Sequence, residues 1–255
     1  MHVFFRPACG STVRVLIART SEAEQVKRET TNWLRFVLED VLPPVVRDSQ
    51  LFHAVARLAW GPHFSRLAEF RERSAFLTPE EYTSLYRDHP RVHEGTDLSQ
   101  GCVDEIVKSV VGESVCDIGC GTGYLVRKLR AARPELARVA GSDFIVDGIQ
   151  PTAGTEYHVG KAEELPFADG EFDTVICTHL LEHLLEPRKA VAELRRIARR
   201  RLIIVVPCER EYRYTFNPHF NFFPYRGSFL RIMIPVPEQF RCFKIGRDFY
   251  YEETR

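Results

Sequence analysis

The sequence predicts an α/β fold built on a mostly parallel sheet with helices on both faces. An apolar run ends in a carboxylate and three alternating glycines at 115–123, and a helix-forming segment follows at 124–130. That order indicates a buried strand, a tight turn and a helix N-terminus. A second, uninterrupted apolar run at 201–207 is typical of a strand buried on both faces of a parallel sheet.

The glycine turn predicts a nucleotide-like ligand, and its details argue against NAD or FAD. A dinucleotide fingerprint needs G-x-G-x-x-G, and Gly119 and Gly121 fit its first two glycines. The third position holds Tyr124, whose side chain is too large for close helix–sheet packing. Asp117 precedes the first glycine, where a carboxylate would repel a pyrophosphate and attract the ammonium group of an amino-acid moiety.

The segment D-I-G-C-G-T-G at 117–123 resembles motif I of the class I S-adenosylmethionine (SAM) dependent methyltransferases. Three later stretches resemble the same family in the same order, namely 139–144, 158–167 and 171–177. The resemblance implies a Rossmann-like sheet that is parallel with a C-terminal antiparallel hairpin. It also implies SAM as the cofactor.

Roles for individual residues follow from this resemblance. Asp117 is expected to meet the methionine end of SAM, and Asp143, which ends the second predicted strand, is expected to hold the ribose hydroxyls. Phe144 is expected to lie against the adenine. The complete set of expected cofactor residues is Asp117, Gly119, Cys120, Gly121, Gly123, Asp143, Phe144, Ala162, Glu163 and Thr178.

The segment T-H-L-L-E-H-L at 178–184 is the main candidate for the chemistry. It matches the H-x-x-E-H pattern of inverzincin peptidases, but it follows a strand end within a methyltransferase motif series, which argues against a peptidase. Ligands of such sheets bind beyond the carboxyl ends of the strands. The segment also resembles the C-x-E-x-L-E-H passage of quinone-biosynthesis O-methyltransferases, in which two acids and a histidine bind a divalent ion.

That narrower resemblance implies a metal site of Glu182, His183 and His179, with Mg²⁺ as the ion. His179 replaces the family's first acid, which is a departure because Mg²⁺ prefers oxygen ligands. Without a metal, His179 or His183 would act as the general base that removes a hydroxyl proton. His179 is favoured as the base because it directly follows the strand, and a second interpretation of His183 is that it only pins the loop by hydrogen bonding.

The chain divides into an N-terminal extension over 1–90 and a class I methyltransferase domain over 91–255. Helical patterns in the extension run over 21–41, 49–60 and 63–76, and Thr78-Pro79 begins another helix. We expect this mainly helical extension to cap the sheet edge or to mediate a homodimer, rather than to form a substrate lid.

The last 50 residues are expected to determine substrate specificity. An aromatic and polar stretch at 212–223 suits either a ring or sugar substrate or a hydrophobic core. A helix is predicted at 227–234, and a hairpin is predicted at 239–245 and 248–252. The arginines at 195–201 are interpreted as the solvated end of a crossover helix over 187–201 rather than as an RNA-binding patch.

Composition limits the class of protein further. The formal net charge is zero, which argues against a dedicated nucleic-acid binder. The seven cysteines form no C-x-x-C motif, which is typical of reduced thiols and predicts a cytoplasmic protein. No apolar run reaches the length of a transmembrane helix.

Together these features predict a SAM-dependent O-methyltransferase of a small molecule. The preferred acceptor is a hydroxyl group of a sugar, glycan or glycolipid, and a phenol or quinone is the second choice. The expected pathway is polysaccharide biosynthesis. The alternatives are an N-methyltransferase, a tRNA methyltransferase or a SAM-binding subunit without catalytic activity.

Overall fold

The computed structural model describes residues 41–60, 73, 76–78, 80–82, 84, 95–213 and 218–255. The chain separates into two compact units, residues 1–58 and 59–255. The helices expected over 21–41 and 63–76 lie almost entirely outside the described residues, as does much of the segment expected to form a homodimer. The boundary expected after residue 90 stays a prediction.

Short helices make up the described part of the N-terminal region. Helix α1 spans Pro44–Arg47 and helix α2 spans Gln50–Trp60, which confirms the helical pattern over 49–60. The predicted helix start near residue 78 is also confirmed, because residues 80–82 are helical and the backbone N–H of Glu81 donates to Thr78 Oγ1 at 3.2 Å.

The second unit is built on one seven-stranded sheet with the order β3-β2-β1-β4-β5-β7-β6. Strands β1 to β5 pair in parallel, whereas β7 pairs antiparallel with both β5 and β6. This sheet confirms the predicted parallel arrangement and its C-terminal hairpin. The strands are β1 (Ser114–Ile118), β2 (Arg138–Asp143), β3 (Glu156–Val159), β4 (Phe172–Thr178), β5 (Ala198–Pro207), β6 (Phe240–Ile245) and β7 (Asp248–Thr254).

Helices pack around the sheet over two separate apolar cores. Consecutive β4 residues alternate between them, since Val175 belongs to one core and Ile176 to the other, as expected when side chains of a strand point to opposite faces. The helices are α3 (Gln100–Ser109), α4 (Tyr124–Ala132), α5 (Pro187–Ile197) and α6 (Arg226–Ile232), with a 3-10 turn at Leu181–His183.

The crossover helix is shorter than predicted. Helix α5 ends at Ile197, and the arginines at 199–201 lie in strand β5 instead of at a helix terminus. Arg199 donates to the buried carboxylate of Asp173, and Arg195 pairs with the fully buried Glu253 at 2.7 Å. These arginines therefore join elements of the fold by ion pairs.

The sheet order reverses between β1 and β4, the position at which such sheets bind ligands. The glycine turn follows β1 and the histidine-containing segment follows β4, so both lie at this edge. Among the described residues, no helix combines the length and apolar character needed to cross a membrane.

Candidate active site

The glycine turn after β1 brings the chain back against two neighbouring segments. Gly119 and Gly123 have φ angles of 78° and 75°, a region that side chains other than glycine rarely adopt. A Cβ atom on Gly123 would lie 2.5 Å from the Tyr157 hydroxyl, and one on Gly119 would lie 2.9 Å from the Leu180 side chain. The glycines therefore allow close packing, and the segment after β4 lies directly against the turn.

Asp117 places a buried carboxyl group at the end of β1. Its side chain is 2% exposed, and Oδ1 has no hydrogen-bond partner. Burial raises the pKa of Asp117 to about 8, and the nearby charge of Asp143 adds to the shift. An unpartnered buried carboxyl of this kind fits the ammonium group of the SAM methionine moiety, because a cation would supply the missing interaction.

Asp143, at the end of β2, forms a hydrogen bond with the glycine turn and is also the residue expected to hold the ribose. Its Oδ2 accepts a hydrogen bond from the backbone N–H of Gly121 at 2.8 Å, and Oδ1 accepts one from Ile145 at 3.2 Å. The carboxylate therefore ties the glycine turn to the end of β2, and its contact with a ribose stays a prediction.

The other expected cofactor residues lie in segments at the carboxyl ends of β1 to β4. Cys120 and Ala162 are buried, whereas Phe144 and Thr178 are half-buried. Glu163 lies in a turn that is closed by a bridge between Lys161 and Glu164. Their contacts with SAM stay predictions.

His179 is held between two carboxylates just past β4. Its Nδ1 lies 3.3 Å from Glu182 Oε1, and its Nε2 lies 3.4 Å from Asp248 Oδ1 at the start of β7. Burial opposes the protonated form, but these two carboxylates outweigh it and raise the pKa of His179 to about 10. The backbone of His179 is also strained, with φ at 49°. These carboxylates therefore favour the protonated form of His179, and its role as the base stays a prediction.

Glu182 is the most enclosed polar group of the segment. Its side chain is fully buried, and neither carboxylate oxygen has an aligned hydrogen bond, although His179 lies within ion-pair distance of Oε1. Burial opposes ionisation, yet His179 and the neighbouring histidines lower the pKa of Glu182 to about 2. Its backbone oxygen accepts N–H hydrogen bonds from Phe220 at 2.7 Å and Asn221 at 3.0 Å. The carboxylate is thus ionised and firmly placed.

His183 differs from His179 in charge state. Burial and the nearby charge of His219 lower the pKa of His183 to about 4. Its Nδ1 lies 3.1 Å from the backbone oxygen of Pro218, and its own backbone oxygen accepts a hydrogen bond from the Tyr82 hydroxyl at 3.0 Å. The imidazole is therefore neutral at pH 7 and fixed in orientation. The contacts that would pin the loop come from the ring and also from the backbone oxygen of His183.

His219 joins this group from a distant part of the chain. Its ring lies perpendicular to that of His183 at a centroid distance of 4.6 Å, and its Nδ1 contacts Glu209. Ligand atoms of Glu182, His183 and His219 all lie within 4.8 Å of one another. In the described residues, this three-residue group contains His219 in place of the expected His179, whose ring is directed between Glu182 and Asp248.

Some residues of the aromatic stretch at 212–223 pack in the hydrophobic core, and others lie near the candidate site. Tyr212 and Phe223 are buried, and Phe223 packs against Phe229 in the core. Phe220 is half-buried and stacks against Tyr82 at a centroid distance of 6.0 Å. Residues 214–217 lie outside the described residues. Among the described residues of this stretch, Pro218, His219, Phe220 and Asn221 contact the turn at 181–183.

Sequence reasoning missed three contributors to the site: His219, Glu209 and Asp248. The first two lie on the segment after β5, far from His183 in the chain. The aromatic and polar stretch at 212–223 drew attention to this segment, but no local spacing connects it with the turn at 181–183. Asp248 is adjacent to the predicted hairpin turn, and only the pairing of β7 with β5 brings it to His179.

Residues 116–206 match a protein-family model described as "Methyltransferase domain". The chain is 30% identical to a ubiquinone biosynthesis O-methyltransferase from Aromatoleum aromaticum over 48% of this chain and 51% of the relative. It is 30% identical to the "Uncharacterized methyltransferase YcgJ" of Bacillus subtilis over 44% of this chain and 46% of that protein. It is also 36% identical to a probable chloroplastic tocopherol O-methyltransferase from rice over 38% of this chain and 30% of the relative. The chain thus spans about half or less of the length of these relatives.

Solved structures share the fold. A SAM-dependent methyltransferase from Aquifex aeolicus superposes with a TM-score of 0.50 at 18% identity, over 70% of this chain and 98% of that protein. A protein from Pyrococcus horikoshii gives a TM-score of 0.50 at 22% identity, over 67% of this chain and 98% of that protein.

The sheet order and the glycine turn define an α/β domain of the Rossmann-like class. Together with the family match, they identify a class I SAM-dependent methyltransferase domain in this chain. SAM is the expected cofactor of this family.

Proposed function

We propose that this chain transfers the methyl group of SAM to a hydroxyl group of a small molecule. The observation that carries the proposal is the direct packing of the segment after β4 against the glycine turn, where Leu180 meets Gly119. Asp117 and the turn supply the cofactor side, and the segment at 179–183 supplies the acceptor side. This is the edge of the sheet where a ligand of such a fold binds.

The chain's own groups fit the demands of O-methylation. The acceptor oxygen must lose its proton as it attacks the methyl carbon in line with the departing sulfur, and holding these atoms in line lowers the entropic barrier. His183 is neutral and can accept a proton or ligate an ion, whereas the protonated form of His179 is favoured. We therefore assign acceptor activation to His183 and Glu182, and we assign His179 the positioning of Glu182.

We consider two classes of acceptor molecule for this reaction. The curated names of the matched relatives, ubiquinone and tocopherol O-methyltransferases, favour a phenol or quinol hydroxyl. Tyr82 and Phe220 form an aromatic pair beside His183, which suits the flat face of a ring. A sugar or glycan hydroxyl is the second candidate, because pyranose rings also stack on aromatic side chains.

The experiment is methyl transfer from labelled SAM to a panel of phenols, quinols, glycans and amines, with Asp143→Ala as the cofactor-site control. The proposal predicts label in an oxygen-linked methyl group of the wild-type product and none with the variant. Label on nitrogen or on tRNA would overturn the hydroxyl assignment. SAM binding with no transfer to any panel member or to cell extract would favour a SAM-binding subunit without catalysis.

A further inference from the structure

We infer that Asp248 is a positioning residue of the methyl-transfer site, which orients the imidazole of His179 and, through it, the carboxylate of Glu182. Asp248 is the first residue of β7, directly after the hairpin turn at 246–247, and its side chain is buried. Oδ1 of Asp248 lies 3.4 Å from Nε2 of His179, and Nδ1 of His179 lies 3.3 Å from Oε1 of Glu182. The consequence for methyl transfer rests on the proposed function.

The Asp248 carboxylate is itself held in place from two directions. The S–H group of Cys102, on helix α3, donates to Oδ2 of Asp248 at a distance of 3.5 Å between the heavy atoms. Burial raises the pKa of Cys102 to about 11, so the thiol keeps the proton that this contact needs. The backbone of Asp248 is paired with Pro207 of β5 on one side and with Ile245 of β6 on the other. Oδ1 is therefore presented to His179 by a carboxylate that has little freedom to turn.

Asp248 can set the direction of the His179 ring because the backbone of His179 is fixed separately. The N–H of His179 donates to the backbone oxygen of Val205 at 2.9 Å, and φ of His179 is 49°. A non-glycine residue persists in this strained region only where its surroundings determine its conformation, and such residues cluster at active sites. With the backbone fixed, the ring can still rotate about its side-chain bonds. The contact between Nε2 and Asp248 selects the orientation in which Nδ1 faces Glu182.

The orientation of His179 matters because Glu182 depends on it. The Glu182 side chain is fully buried, and neither carboxylate oxygen has an aligned hydrogen bond. A buried carboxylate in this condition is costly, and among the described residues its ion pair is with His179. Rotation of the imidazole would leave Glu182 without this contact. Glu182 belongs to the acceptor side of the proposed site, so the rotation would disturb the group that faces the acceptor.

Asp248 acts on the acceptor side of the site rather than on the cofactor side. The cofactor side is formed by Asp117 and the glycine turn after β1, whereas Asp248 reaches the site through the segment after β4. The hydrogen bond from the His179 N–H to Val205 holds the backbone of that segment without the Asp248 side chain. Removal of this side chain should therefore slow methyl transfer and leave the affinity for SAM unchanged.

The test compares Asp248→Ala and Asp248→Asn with the wild type in methyl transfer from labelled SAM, using the most active acceptor among the phenols, quinols, glycans and amines. Asp248→Ala is predicted to lower kcat by about 10- to 100-fold, because small displacements of groups at a reacting centre cost this much. The KM of the acceptor and the Kd of SAM are predicted to stay unchanged, as for loss of an interaction made only in the transition state. Asp248→Asn is predicted to recover part of the lost kcat, because its amide oxygen still accepts from Nε2–H in a neutral, weaker hydrogen bond.

Glu252→Gln is the matched control. Glu252 is also a buried, ion-paired carboxylate of β7, with Arg241 at 2.7 Å, but it lies toward the other end of the strand. Its substitution is predicted to leave kcat unchanged even where it lowers stability in urea unfolding. A wild-type kcat in folded Asp248→Ala, an equal fall of kcat in Glu252→Gln, or a loss that appears in the Kd of SAM instead of in kcat would overturn the inference.

A spectroscopic measurement tests the same contacts without an acceptor. The NMR signal of the Glu182 carboxylate carbon responds to the contact with His179, so Asp248→Ala is predicted to shift it while Glu252→Gln leaves it in place. Asp248→Asn serves when Asp248→Ala does not fold, and it is predicted to shift the signal in the same direction by a smaller amount. An unchanged Glu182 signal in a folded Asp248 variant would overturn the inference.

The inference and the proposed function fail separately. Methyl transfer by the wild type that is unaffected in folded Asp248→Ala defeats the inference and leaves the proposed function intact. A wild type that transfers no methyl group to any acceptor defeats the proposed function, and the Glu182 signal then still decides whether Asp248 positions this carboxylate.

Discussion

Replacing Asp117 with Asn should stabilise the free protein and weaken its binding of SAM. The carboxyl group is 2% exposed, Oδ1 has no hydrogen-bond partner, and burial raises its pKa to about 8. A neutral amide of the same shape removes an ionisable group that the fold disfavours. The same change removes the negative charge that we assign to the ammonium group of SAM.

The stability gain depends on pH in a defined direction. The pKa of Asp117 in the folded protein exceeds its ordinary value of 3.8, so ionisation of this group destabilises the wild type. The destabilisation is absent at low pH and grows as the pH rises to about 8. At 1.36 kcal/mol per pKa unit, the upper limit of the gain at pH 7 is about 4 kcal/mol. The gain should disappear near pH 4, where the carboxyl is protonated in both states.

The affinity loss should have its own pH dependence. A charge-assisted hydrogen bond contributes about 1.5 to 3 kcal/mol, so Asp117→Asn should weaken SAM binding by roughly 10- to 150-fold near pH 8. Below that pH the wild type must first ionise Asp117, and calorimetry in buffers of different ionisation enthalpy should show proton release for the wild type only.

The control for these measurements is Asp169→Asn, which changes an exposed carboxylate paired with Arg196. It should leave SAM affinity and proton release unchanged. Wild-type SAM affinity in Asp117→Asn, together with no rise in stability by urea unfolding at pH 7, would refute the reasoning.

Three further predictions concern the scaffold of the site. Glu253→Gln should destabilise the protein by about 3 to 5 kcal/mol in urea unfolding, because it leaves the mostly buried Arg195 without its counter-charge; a loss below 1 kcal/mol would contradict this. Asp173→Asn should lower stability at pH 7, because backbone N–H groups and an arginine depress the pKa of Asp173. The ionised side chain favours the folded state, so the difference from wild type should narrow as the pH falls below about 4, and a difference that does not narrow would contradict this. Gly123→Ala should weaken SAM binding in calorimetry, because its φ is 75° and a Cβ would lie 2.5 Å from the Tyr157 hydroxyl; unchanged affinity and melting temperature would count against the tight turn.

The fold followed from local sequence signals to a large extent. The apolar strand, the glycine turn and the helix after it were recognisable because each has a distinct local pattern, and the hairpin turn was placed correctly between β6 and β7. The predicted end of α5 was wrong because the arginines after Ile197 carry no helix-stop signal. Pairing of β5 with β4 decides their conformation.

The site was predictable only where its residues are neighbours in the chain. Glu182 and His183 stood out within one short segment, but His219 and Asp248 reach it through tertiary structure. Tertiary structure also changed our assignment of the base from His179 to His183. The charge state of His179 depends on Asp248, a residue that lies on a different strand and that no local pattern connects with it.

The most direct test of the central claim is calorimetric titration of SAM into the purified 255-residue chain, compared with Asp143→Ala. The account predicts saturable binding of one SAM per chain to the wild type and to the Asp169→Asn control, with binding lost in Asp143→Ala. A folded wild type that gives no SAM binding, or an Asp143→Ala variant that binds SAM as tightly as the wild type, would contradict it.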